Sequence, residues 1–139
     1  MKRVLTVAVF SALALMFGYN VKNFLLTYRD PYVDVKTSAI DELVKSGGIL
    51  RARFEFDHIR ICEEKLARFI IRRDDTNEVV YRDSVAGGAT NLGHHTVTHP
   101  IQIPHELGPG PYYYRVIIHA QCSDGQHDQP TPDIPFDIN

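Results

Sequence analysis

In two stretches of this chain every second residue is apolar. Leu50, Ala52, Phe54 and Phe56 alternate with Arg51, Arg53, Glu55 and Asp57, and Tyr112, Tyr114, Val116, Ile118 and Ala120 share one parity further on. Successive side chains of a strand point to opposite faces, so each stretch requires a β-strand with one face in a core. A helix would scatter the same residues around its axis. Shorter runs repeat the period: Val33, Val35, Thr37 and Ala39; Val97, Ile101 and Ile103; Ile134, Phe136 and Ile138. A helix over residues 38–46, with Asp41 in a partial capping box and Gly47 as its C-cap, competes with the end of the first run.

Punctuation between the runs suits short strands. Residues 66–73 and 78–85 flank Asp74-Asp75-Thr76-Asn77, a natural hairpin turn. Cys62-Glu63-Glu64-Lys65 reads as a polar turn, and the parity flip to Ile59 and Ile61 after Asp57 predicts a bulge or bend near His58. Pro100, Pro104, Pro130, Pro132 and Pro135 argue for edges and strand ends. About seven antiparallel strands over residues 29–139 predict an all-β sandwich. One core is the most that about 100 residues supply.

The other constraint lies at the N-terminus. Behind Lys2 and Arg3, residues 4–21 are almost entirely apolar. As a helix, residues 4–19 span about 24 Å, and continuation to Leu26 gives about 35 Å against a hydrocarbon core of roughly 30 Å. Lys22 can snorkel, and Tyr19, Tyr28 and Tyr32 suit the headgroup zone. Residues 1–28 are therefore read as a single transmembrane anchor, N-terminus cytoplasmic, that holds the sandwich on the periplasmic or extracellular side. The rival is a cleaved signal and a secreted domain. Its cleavage sites fit poorly, since bulky Met16, Phe17 or Tyr19 stand where small residues belong. Net charge is −2, and arginines alternate with acidic residues, so the chain lacks the basic field that a nucleic acid needs.

Leu107-Gly108-Pro109-Gly110 running into Tyr112-Tyr113-Tyr114 resembles the turn and penultimate strand of immunoglobulin-like and fibronectin-type-III-like sandwiches. There a Leu-x-Pro-Gly turn delivers a corner tyrosine into the core strand. Fibronectin-like spacing selects Tyr113 as that corner, whereas the apolar face selects Tyr112 or Tyr114. The buried Trp of immunoglobulin domains is missing, because the chain has no Trp. Cys62 and Cys122 each close a strand region, and their separation resembles the inter-sheet disulfide of immunoglobulin domains, although they stand at strand ends. A disulfide between them agrees with an oxidising compartment, two separate buried thiols being the alternative.

Candidate chemistry is sparse. His94, His95, His99 and His105 are close in sequence and form the one metal-ligand candidate. In an extended strand His95 and His99 are about 13 Å apart, so only a bent loop brings them to one ion. Cys122 near His119 and His127 lacks an orienting third group for nucleophilic catalysis. No catalytic residue and no cofactor is expected, and the chain is read as a non-enzyme. The expected function is a structural or protein-interaction module of an envelope or viral membrane complex. It contacts lipid through its helix and a protein partner or a second copy through its sandwich. The alternative is a periplasmic metal-binding protein that uses the four histidines.

Overall fold

The computed structural model describes residues 11–21, 29–88 and 91–139. Residues 11–21 are helical; the other parts of the expected anchor, residues 1–10 and 22–28, lie outside the described residues. Among the described residues no helix is long and apolar enough to cross a membrane.

Nine strands follow: β1 (Tyr32–Ala39), β2 (Leu43–Val44), β3 (Ile49–His58), β4 (Glu63–Arg72), β5 (Val79–Ala86), β6 (Gly93–Gln102), β7 (Gly110–Cys122), β8 (Gly125–Pro130) and β9 (Ile134–Ile138). They form two sheets, one in the order β1-β3-β6 and the other β2-β9-β7-β4-β5, with β8 also paired to β7. All pairings are antiparallel except β2 with β9. The expected all-β sandwich is present. Its two unforeseen strands are the two-residue β2 and the polar β8, neither of which carries an apolar alternation.

The alternating stretches supply the core. Leu50, Ala52, Phe54 and Phe56 of β3 face Tyr112, Tyr114, Val116 and Ile118 of β7, with Ile134, Phe136 and Ile138 beside them, all buried. At about 25 cal/mol per Å² of apolar surface, burial of one such side chain contributes roughly 1.5–3 kcal/mol, which makes these two strands the main source of stability.

Strand β7 changes partner halfway. Residues Gly110 to Tyr114 pair with β9, whereas Ile117 to Cys122 pair with β8. Between them Pro130-Thr131-Pro132 breaks what would otherwise be one long strand. Buried Thr131 covers the gap: its N–H donates to Val116 O at 2.8 Å and its hydroxyl to the same oxygen at 3.1 Å.

Several local expectations are corrected. Residues 63–65 are not a turn but the start of β4, because Glu64 turns inward and accepts a hydrogen bond from Tyr32. The pairing of β3 with β6 runs unbroken to His58, so no bulge lies there; the register shift is across the sheet in β1, where Asp34 has φ 52°. Ile59 and Ile61 are exposed rather than core. Residues 38–46 are not a helix: β1 continues to Ala39, and β2 pairs with β9.

Candidate functional site

The inner face of the larger sheet carries three charged groups, Glu64, Arg68 and Asp83, that an apolar core would not by itself accommodate. On β4 the inward parity is Glu64, Leu66, Arg68 and Ile70, opposite Ala120, Ile118, Val116 and Tyr114 of β7. Arg68 stands across from Asp83 of β5, and its guanidinium grips that carboxylate through Nε at 2.7 Å and through Nη2. Tyr81 adds a hydroxyl donor to Asp83 at 3.0 Å. A two-pronged Arg–carboxylate contact is among the stronger hydrogen-bonded arrangements available to a half-buried charge. The Arg68 hydrogen bond holds the Asp83 carboxyl below its ordinary value, against burial, and in return raises Arg68. Burial pushes the neighbouring Tyr114 hydroxyl up to about 12.

Glu64 sits nearer the disulfide end. Its Oε2 accepts from Tyr32 at 2.5 Å, and its Oε1 lies 3.8 Å from His58 Nε2. His58 is buried, stacked on Tyr32 at 4.7 Å between ring centres, with Nδ1 3.2 Å from Asn91 O. Glu64 and Arg68 both border a cavity of about 80 Å³ between the sheets, whose other walls are mostly apolar, Phe54, Phe56, Leu66 and Val116 among them. Since a water needs roughly 10–15 Å³ of such space, the cavity admits a few waters or one small side chain, not a drug-sized ligand.

The four candidate histidines do not converge. Pairing of β6 with β3 puts His94 opposite Asp57, on the outer face, where its Nδ1 is 2.7 Å from Asp57 Oδ1. His95 and His99 are opposite Phe56 and Ala52 and so face inward. His95 Nε2 is bonded to Asn91 O at 2.6 Å, while the His99 ring stands edge-on to Phe54 at 5.6 Å. Burial, then the charge of Arg68, lowers the His99 pKa, which favours its neutral ring. His105 is exposed on the loop after β6, against Gly47. Alternation along an unbent strand thus separates His94 from His95, and strand length separates His95 from His99.

Cys62 and Cys122 are joined in a disulfide. The bridge is not between sheets. Glu63 pairs with Gln121, so Cys62 falls directly opposite Cys122 on the adjacent strand of the same sheet, at a Cα–Cα distance of 4.7 Å. Arg60, Asp124, His127 and Asp30 surround it, and of these the sequence had singled out His127 alone. Arg60 holds both oxygens of Asp124, and His127 Nε2 is 3.0 Å from Asp124 Oδ2 while its Nδ1 is 3.2 Å from Asp30 Oδ1. Hydrogen bonding from Arg60, against burial, brings the Asp124 carboxyl down to about 2. The sequence signal for this cluster was only the spacing Cys122-x-Asp124-x-x-His127 on a tight hairpin.

No protein-family model matches the sequence, and no curated protein matches it. Among solved structures, the sporulation control protein Spo0M from Bacillus subtilis matches over 80% of this chain and 50% of that one, at 13% identity and a TM-score of 0.47. The chain thus spans half the length of that protein, and at this level of likeness no property of Spo0M transfers to it.

Proposed function

We propose that the chain is a single-pass membrane-anchored, exported β-sandwich that serves as a structural or protein-interaction module. The observation that carries this reading is the helix of residues 11–21. Leu13, Leu15, Met16, Phe17 and Tyr19 on it are 56%, 75%, 68%, 73% and 67% exposed. At 100° per residue these side chains spread over about 200° of the helix, and Ala14, Gly18 and Val21 take most of the remaining arc, so residues 11–21 present no charged face. An all-round apolar surface calls for an all-round apolar medium, and a bilayer supplies one. The disulfide supports export, because such bonds persist in oxidising compartments.

The sandwich is read as immunoglobulin-like in the broad sense. Tyr112 supports this: at the start of β7 its hydroxyl donates to Gly108 O at 2.8 Å, four residues upstream, as a tyrosine corner does. A three-stranded sheet facing one in which β9, β7, β4 and β5 are neighbours supports it too. For the interaction role, β5 and β6 each end a sheet, and among the described residues each has a strand on one side only. Such edges are templates for a partner's strand.

Detergent extraction followed by crosslinking and co-purification tests the proposal. A stoichiometric protein partner, or self-association, recovered from the membrane fraction is the expected result. A monomer that remains in the aqueous fraction with no partner contradicts it.

A further inference from the structure

At the disulfide end of the sandwich the geometry points to a masked metal site. We propose that, once a dithiol donor has reduced Cys62–Cys122, the two thiolates, His127 Nε2 and one Asp124 oxygen together bind a single zinc ion.

Three of the four ligand atoms are already gathered, and Cys62 is bonded to one of them. Hairpin β7–β8 pairs Cys122 with Gly125 and Ala120 with His127, so Cys122 and His127 project from the same face, and the strand register sets Cys62 beside them. The sulfur of Cys122, a nitrogen of His127 and an oxygen of Asp124 lie within 4.8 Å of one another. A tetrahedral zinc with bonds of about 2.3 Å to sulfur and 2.0–2.1 Å to nitrogen places its ligand atoms roughly 3.5–3.8 Å apart. Side-chain rotation covers the difference. While the disulfide stands, neither sulfur is a thiolate, and the site is closed to metal.

His127 is held as a ligand should be. Asp30 engages Nδ1 and leaves Nε2 turned toward Asp124 and Cys122, the carboxylate–histidine arrangement that orients imidazoles on zinc. The metal takes the place of the Nε2 hydrogen. Charge is nearly balanced: zinc and Arg60 together carry three positive charges, two thiolates with Asp124 carry three negative ones, and Asp30 behind Nδ1 adds a fourth. Two sulfurs and one imidazole select zinc over magnesium or calcium. Reduction is a two-electron step, in which the donor dithiol closes to its own disulfide while its electrons and two protons open the S–S bond. Both thiol protons and the displaced Nε2 proton then leave as zinc binds. Cys62 borders a surface groove with Ile61 and Glu63, which gives a donor its approach.

The test uses the full chain in detergent, oxidised or reduced with a phosphine, titrated with cobalt(II) and then zinc(II), with circular dichroism recorded alongside. Expected are a 1:1 thiolate-to-cobalt charge-transfer band in the reduced chain only, its loss on adding zinc, and a roughly tenfold weaker affinity for Asp30→Asn. His127→Ala is expected to weaken it further. If reduction unfolds the chain, metal-driven recovery of the strand signal supports the site equally. Absence of saturable binding by the reduced chain, folded or not, overturns the proposal, as does equal binding by the oxidised chain or by His127→Ala.

Discussion

Arg68 and Asp83 are inward-facing charges that tolerate partial burial because each satisfies the other. Their side chains are 17% and 25% exposed, so the pair is shielded but not dry. Asp83→Asn removes the charge and keeps the shape; it is expected to cost about 1–2 kcal/mol at pH 7, the range for hydrogen bonds to charged groups. The folded-state pKa of Asp83 is depressed below 3.8, so its contribution is present above that value and fades as pH falls through the lowered one. Urea midpoints of both proteins should therefore differ at pH 7 and converge in strong acid; a constant gap would show that the ion pair is not its source. Gly87 makes a different demand. Its N–H donates to Glu64 O at 3.0 Å, and a Cβ there would run into the Glu64 Cβ. Gly87→Ala is expected to destabilise by about 1–3 kcal/mol through overpacking, measured by the same midpoints. Neither constraint was readable beforehand. In sequence Gly87 is merely followed by a second glycine, and Glu64 sits in a polar tetrapeptide whose inward turn depends on Tyr32, on the facing sheet.

At the scale of elements, apolar alternation was the legible signal and pairing was not. Strands β3 and β7 were evident from their own residues, since Phe54, Phe56, Tyr114 and Val116 demand a buried face whatever lies opposite. Strand β8 was invisible because Gln126, His127, Asp128 and Gln129 bury nothing continuous; backbone pairing to β7 alone defines it. The cysteines show the same division. Their bonding was foreseeable, but its placement within one sheet depends on the β4–β7 register, which one sequence does not encode locally. In the chain-entropy account, closing a loop of 60 residues stabilises by about 4 kcal/mol. A metal-free Cys62→Ser/Cys122→Ser chain is expected to lose about that much in chemical denaturation; a loss under 1 kcal/mol would mean that the bridge does little for the fold. Thr131→Val removes the hydroxyl bond to Val116 at the break between β8 and β9, and about 1 kcal/mol is expected to go with it.

For the molecule as a whole, the two ends of the chain make opposite demands. The sandwich buries most of its apolar residues in one core, whereas the helical residues 11–21 leave theirs exposed. The chain joins the sandwich at the disulfide end: Ile59 N–H donates to Pro31 O at 3.0 Å, and Arg60 Nη1 to Arg29 O at 3.1 Å. Exposed Ile61 and Leu92 lie beside this junction, at 72% and 56%. A tethered sandwich would hold that end toward the bilayer and present β5 and β6 sideways to a partner. A tethered sandwich requires that the apolar segment stay attached. N-terminal sequencing of the protein extracted by detergent from the membrane fraction tests this most directly. Retention of residues 1–21 on the extracted protein is expected of an anchored chain, and a mature start after residue 18 would show that the segment is a cleaved signal.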